Sequence, residues 1–205
     1  MALIFWEQAV NDLSVRDPVM CRIIQCYDGS LSEEESDAFT TLARAIVGQQ
    51  ISIKAAASVW QRITTSIPEF TPERLISTET GVLRTCGVSA RKVDYLRDLS
   101  HHFLEGMLAT INRHELDDEL LIRRLIQIKG IGRWTAEMFL IFYLHRPDVL
   151  PLDDIGLQRA VSKHYSQGQP IDKRGILAIA ENWQPWRSVA TWYLWRSLDP
   201  IPVMY

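Results

Sequence analysis

The 205-residue chain is 47% hydrophobic and 23% charged, enough for one core or two closely packed lobes, which excludes a disordered or low-complexity protein. No apolar run approaches the roughly 18 residues that cross a bilayer, and the N-terminus carries Glu7 and no basic leader region. A net charge of −3 and a pI near 6.0 argue against broad attraction to nucleic acid, though a local site built on backbone amides would survive that charge. The three cysteines, Cys21, Cys26 and Cys86, cannot all pair and read as reduced thiols in a cytosolic protein. Regular strand alternation is nearly absent while 3.6-residue periodicity recurs, so the predicted fold is all-α. A first helix is expected over about 14–27, ending at Asp28-Gly29, and the acidic run Ser32-Glu33-Glu34-Glu35 reads as a helix start or a solvated turn.

Phe39, Leu42, Ala43, Ile46 and Val47 form a clean helical stripe that ends at Gly48-Gln49-Gln50-Ile51. Ser52 then caps a helix striped by Ile53, Ala56, Ala57, Trp60 and Ile63. Thr71-Pro72-Glu73 supplies a cap, a proline at the first helical position and an acidic first turn. Ser89 repeats the logic for a helix carrying Leu96, Leu99 and Phe103, and Asp117 or Asp118 opens one carrying Leu121, Ile122, Leu125 and Ile126. Residues 135–145 are apolar on nearly all sides, as a buried central helix would be. Two more helices are expected over about 172–183 and 185–198. Trp60, Trp183 and Trp186 belong with the core.

Between the helix ending near Ile126 and the buried one stands Lys129-Gly130-Ile131-Gly132-Arg133-Trp134-Thr135. Two glycines around one isoleucine let the chain turn tightly and let another backbone come close. The helix that follows presents free N–H groups and the positive end of its dipole, which suit a phosphate oxygen. The stretch over about 117–145 therefore reads as a helix-hairpin-helix, a grip on a nucleic-acid backbone that reads no bases; Gly-x-Gly alone would equally suit an ordinary turn between two helices. After the buried helix comes Arg146-Pro147-Asp148-Val149-Leu150-Pro151-Leu152-Asp153-Asp154-Ile155-Gly156, a loop stiffened by two prolines and closed by an acidic pair. On its own such a pair is most simply an N-cap; the hairpin 22 residues upstream turns the reading toward chemistry.

This layout resembles the helix-hairpin-helix base-excision DNA glycosylase superfamily, and within it the DNA-3-methyladenine glycosylase II branch. The residues that carry the resemblance are Ala45 to Ser52, then Lys129 to Ala136 with Leu152 to Gly156, then Trp183 to Ala190 with Tyr193-Leu194-Trp195. It implies two helical lobes forming a single unit over 1–205, with an active-site cleft between the lobes. It also implies hydrolysis of the N-glycosidic bond of alkylated purines such as 3-methyladenine and 7-methylguanine in double-stranded DNA. An oxocarbenium-like sugar needs a fixed carboxylate beside it, and by resemblance that is Asp154, with Asp153 as its capping or supporting neighbour. A helix N-terminus there would help to keep Asp154 ionised.

Where strand-cutting relatives have a Schiff-base lysine, this chain has Trp134, which offers no amine nucleophile, so a monofunctional enzyme without lyase activity is implied. Trp134 and Trp195 would line the base pocket, with Met138 one turn beyond Trp134, because electron-poor alkylpurines stack on indoles. Gln49 and Gln50 match the stretch that fills the gap left by a flipped nucleotide, Gln50 being favoured as the wedge; read without the family they are an ordinary polar helix end. Lys129, Gly130, Gly132, Arg133 and Thr135, with the amide of Trp134, would face the DNA backbone. A structural monovalent cation would map to the carbonyls of Ile126, Ile128 and Ile131. Arg187-Ser188 reads as structural, the arginine pairing across the lobes. Catalysis would need no cofactor, three scattered cysteines leave no iron–sulfur cluster, and a monomer in the cytoplasm of a bacterium or the nucleus of a eukaryote is expected. Two rival readings remain from the residues: a glycosylase for uracil, hypoxanthine or mismatched bases, and a non-catalytic helix-hairpin-helix binding module.

Overall fold

The computed structural model describes residues 3–31, 36–106 and 117–198, all of them helix, turn or loop with no strand. In chain order the helices are α1 (Trp6–Arg16), α2 (Pro18–Cys26), α3 (Ala38–Gly48), α4 (Ile53–Ser66), α5 (Pro72–Ser77) and α6 (Thr80–Thr85). Then come α7 (Ala90–Leu104), α8 (Asp118–Leu125), α9 (Arg133–Phe142), α10 (Ile155–Tyr165), α11 (Lys173–Ala180) with a 3-10 turn at Glu181–Trp183, and α12 (Arg187–Arg196). The described residues of Met1–Glu34 and Leu140–Tyr205 form one compact unit and those of Glu35–Phe139 a second. No described helix is long and apolar enough to cross a membrane.

In the first unit the helix expected over about 14–27 begins only at Pro18 as α2, and a separate helix, α1 (Trp6–Arg16), lies mostly before the expected start. Pro18 disfavours helical geometry at Asp17, so α1 stops there, and Pro18 becomes the first residue of α2. Asp17 caps α2 by accepting from the amides of Val19 (2.8 Å) and Met20 (3.1 Å). Its other oxygen accepts from the Tyr165 hydroxyl at 2.6 Å and the Trp183 indole at 2.9 Å, so one buried carboxylate ties α2 to α10 and to the 3-10 turn. Burial, reinforced by Asp17, pushes the Tyr165 phenol well above its ordinary value. Trp183 is fully buried and Trp186 nearly so, as expected of core indoles.

In the second unit the caps predicted at Ser52, Thr71, Ser89 and Asp117 are all present. The face of α4 differs from the predicted stripe: Val59 and Ile63 are buried, whereas Ile53 and Ala57 are exposed. Val59 lies one turn before Ile63 on the face that packs, and the apolar residues at the helix start lie off it. The six-residue α6, which buries only Leu83, has no period long enough to announce itself. Ile126 falls just outside α8 and is exposed. The acidic run at 32–35 lies outside the described residues.

Candidate functional site

Helix α8, the turn and α9 as far as Phe139 belong to the second unit. Helix α8 ends at Leu125, the turn buries Ile128 and Ile131, and the amide of Ile131 donates to the carbonyl of Ile128 at 3.1 Å. Gly130 has φ +84°, and a Cβ there would come within 2.7 Å of the Tyr95 ring, so this position needs glycine for both its backbone and its space. Gly132 differs: its φ is ordinary, it is exposed, and a Cβ would meet nothing within 4 Å. Among the described residues nothing requires glycine at that position. The intrahelical bond from Ala136 N–H to Gly132 O, at 3.0 Å, starts the ladder of α9, so the amides of its first turn point out of the helix end.

Side chains around the turn are anchored by groups that the local sequence did not reveal. Asp98 of α7 accepts from the Lys129 amide at 2.8 Å and pairs with its ammonium at 3.3 Å. Burial works to raise the Asp98 carboxyl, but those two contacts outweigh it and hold it below its usual value. The Arg133 guanidinium forks onto Glu119 at 2.9 and 2.7 Å, and its Nε donates to Glu137 at 3.0 Å. Bonding to Glu119 lowers that carboxyl and raises Arg133 further. The predicted contact of Lys129 and Arg133 with DNA therefore begins from two side chains already engaged within the protein. Trp134 and Thr135 are half-buried in the first turn of α9, and Met138 is buried one turn on.

The Gln49-Gln50 pair divides in two. The Gln49 amide donates to the Gly130 carbonyl at 2.8 Å, so it braces the hairpin. Gln50 is exposed with φ +58°, a left-handed conformation at the tip of the turn. Lys92 holds this turn from below by donating to the carbonyls of Val47 and Gln49, each at 2.7 Å, and burial lowers its ammonium from the ordinary value.

The carboxylate belongs to the first unit. Asp154 is the N-cap of α10 and only 8% exposed; its Oδ1 accepts from Leu157 N–H at 2.6 Å and from the Trp195 indole at 2.7 Å. The cap is thus Asp154 itself. Asp153, expected to cap or support it, instead pairs with Lys173 on the surface. The loop leading to Asp154 is pinned by the first turn of α12. Ser188 donates to Arg146 O at 2.6 Å and accepts from Val149 N at 2.9 Å, while Arg187 pairs with Asp148 at 2.7 Å. Arg187 and Asp148 lie in the same unit, so the pairing across lobes expected of Arg187 is corrected: it fastens the loop that delivers the carboxylate. Trp195 stacks on Phe142 with centroids 5.8 Å apart and planes at 12°. Its N–H and one face are therefore occupied.

Among the described residues no cluster of three His, Cys, Asp or Glu could hold a metal ion, and the three cysteines are free thiols. An open cavity of about 520 Å³ lined by Arg91, Tyr95, Arg97, Asp98 and Lys129 lies on α7 beside the hairpin.

A hairpin with a phosphate-ready helix end, followed by a capped, buried aspartate on a pinned loop, defines a class of base-excision repair protein. The chain belongs to the HhH-GPD superfamily of base excision DNA repair proteins, whose family model matches residues 43–185. It is 36% identical over 182 residues to DNA-3-methyladenine glycosylase 1 of Schizosaccharomyces pombe, covering 87% of this chain and 80% of that protein. Among solved structures, a DNA-3-methyladenine glycosidase from Bacillus halodurans superposes with a TM-score of 0.86 at 34% identity, covering 93% of this chain and 89% of that one. The Schizosaccharomyces pombe 3-methyladenine DNA glycosylase in complex with abasic DNA gives 0.77 at 35% identity, covering 93% and 96%.

Proposed function

We propose that this protein is a monofunctional DNA glycosylase that removes alkylated purines, 3-methyladenine and 7-methylguanine among them, from double-stranded DNA. The observation that carries the reading is Asp154: a buried carboxylate fixed by a helix-end amide and an indole, on a loop fastened by α12. Relatives named DNA-3-methyladenine glycosylase support the substrate class.

As the C1′–N bond breaks, its electron pair leaves with the base, and positive charge develops on the sugar. Asp154 stabilises that charge, water bonds to C1′, and the water proton passes to solvent, so an alkylpurine cation departs as a neutral base. The amides of Gly130, Gly132 and Trp134 hold a backbone phosphate at the start of α9. Trp134 offers its indole to the extruded base with Met138 beneath, and Gln50 takes the place the nucleotide leaves in the stack. Because Trp134 has no amine, no Schiff base forms and the strand is left uncut.

The proposal includes a structural monovalent cation on the carbonyls of Ile126, Ile128 and Ile131; the Ile128 oxygen accepts one amide at 3.1 Å and keeps a second lone pair. Such an ion would add positive charge behind the phosphate. The enzyme acts as a monomer wherever the genome lies, in the bacterial cytoplasm or the nucleus.

Single-turnover base release from methylated duplex DNA tests the reading. Asp154→Asn should slow release by about 100-fold or more at matched DNA affinity, with no strand scission before alkali. Wild-type protein that binds duplex DNA but releases no alkylated base, uracil, hypoxanthine or mismatched base would overturn it.

A further inference from the structure

The family resemblance makes Trp195 a wall of the base pocket, yet its polar edge is spent elsewhere. The indole N–H reaches Asp154 Oδ1 at 2.7 Å, the same oxygen that caps α10 through Leu157 N–H at 2.6 Å. The ring cannot swing away freely, because one face lies on Phe142 with the planes at 12°. Between the two groups stands Gly156, in the first turn of α10. A Cβ there would come within 3.0 Å of Asp154 Oδ1, 3.1 Å of Trp195 Cδ1 and 3.2 Å of Trp195 Nε1. Its φ is not left-handed, so the backbone does not require glycine, and a helix would favour alanine at this position. The missing side chain is the space in which indole and carboxylate meet.

We propose that Gly156 and Trp195 act together as a positioning device for Asp154, Trp195 by bonding one carboxylate oxygen and Gly156 by leaving room for that bond. The inference rests on Asp154 being the carboxylate that serves the reaction. With one oxygen held at two points, the carboxylate keeps a single rotamer and orientation when the sugar charge develops, and no reorganisation is left for the moment of bond breaking. The role of Trp195 is then common to every base the enzyme releases. A stacking residue would act differently, through base affinity and base choice.

The test uses the full chain with Gly156→Ala, Trp195→Phe and the double variant, whose helical circular dichroism should match wild type. Single-turnover release is followed on duplexes carrying 3-methyladenine or 7-methylguanine across a range of enzyme concentrations. Each single variant should lower the plateau rate by about tenfold or more, by the same factor for both bases, with half-saturation unchanged within about twofold. The double variant should fall little further than the slower single, because both changes break one contact. In the ¹H–¹⁵N spectrum, the Trp195 indole proton of wild type should lie downfield and should move upfield in Gly156→Ala.

An unchanged plateau in both single variants would overturn the proposal, as would a loss that appears in half-saturation or differs between the two bases. Wild-type protein releasing no base would sink the glycosylase reading separately. The indole resonance would still report on the device, and a resonance unmoved by Gly156→Ala would end it.

Discussion

The two hairpin glycines look alike in sequence and differ in what they do. Gly130 holds a left-handed φ of +84° against the Tyr95 ring, so Gly130→Ala should cost about 2–3 kcal/mol of stability and disorder the grip as a consequence. Gly132 sits in open space with ordinary φ, and Gly132→Ala should leave stability within about 0.5 kcal/mol while weakening affinity for an abasic-site duplex by about tenfold or more. Denaturant melts and anisotropy titrations of the two variants decide this; equal binding by Gly132→Ala and wild type would mean that no backbone approaches there. The sequence revealed that glycines were needed, because Gly-x-Gly between helical stripes is a local signal. It could not divide their reasons, since Tyr95 stands 35 positions away. That one of the Asp153-Asp154 pair caps a helix was legible for the same local cause, but which of the two does so was not: the cap is Asp154, three residues before the amide it holds. Its second partner, Trp195, is 41 positions on, and the use of the indole as a donor had no local trace.

Helix α10 is fastened to the end of α12 from both of its own ends. Asp154 bonds Trp195 at the start; at the finish Lys163 donates to Ser197 O, and the His164 ring meets the Ser197 hydroxyl, both at 2.8 Å. Burial lowers the His164 imidazole below its ordinary 6.5, with Lys163 and Arg22 adding repulsion. The unfolded chain then takes up a proton before the folded one does, so stability should fall as pH drops through about 6.5 toward the folded value. Thermal melts should show wild type losing ground to His164→Gln over that window and running parallel to it above about pH 7.5; parallel curves throughout would mean that the imidazole is not restrained by its surroundings. Helix starts were legible at Ser52, Thr71, Ser89 and Asp117, whose caps reach three residues ahead, while Asp37, which caps α3 in the same way, was passed over beside the acidic run. The divide at Asp17-Pro18 was as local, marked by the proline and by the cap that Asp17 gives to the amides of Val19 and Met20. Nothing local could mark the buried face of α4, which is chosen by what packs against it.

A chain with a net charge of −3 must bind a polyanion by means other than bulk attraction. Lys129 and Arg133 do not relieve that, because Lys129 is paired with Asp98 and Arg133 with Glu119 and Glu137. In the proposed reading the hairpin offers backbone amides and a helix end to a phosphate, which would be held without being neutralised by a mobile cation. Counterion release follows the number of phosphates neutralised, each adding about −0.9 to the slope of log affinity against log salt. Affinity for an abasic-site duplex should therefore fall with a slope no steeper than about −3 between 50 and 200 mM salt. Glu119→Gln removes the forked partner of Arg133 and should steepen the slope by about one unit, tightening binding at the low-salt end. Anisotropy titrations across that range measure both. A wild-type slope steeper than about −5 would move the phosphate contacts from the hairpin amides to cationic side chains, and an unchanged slope in Glu119→Gln would show that the guanidinium never reaches the DNA.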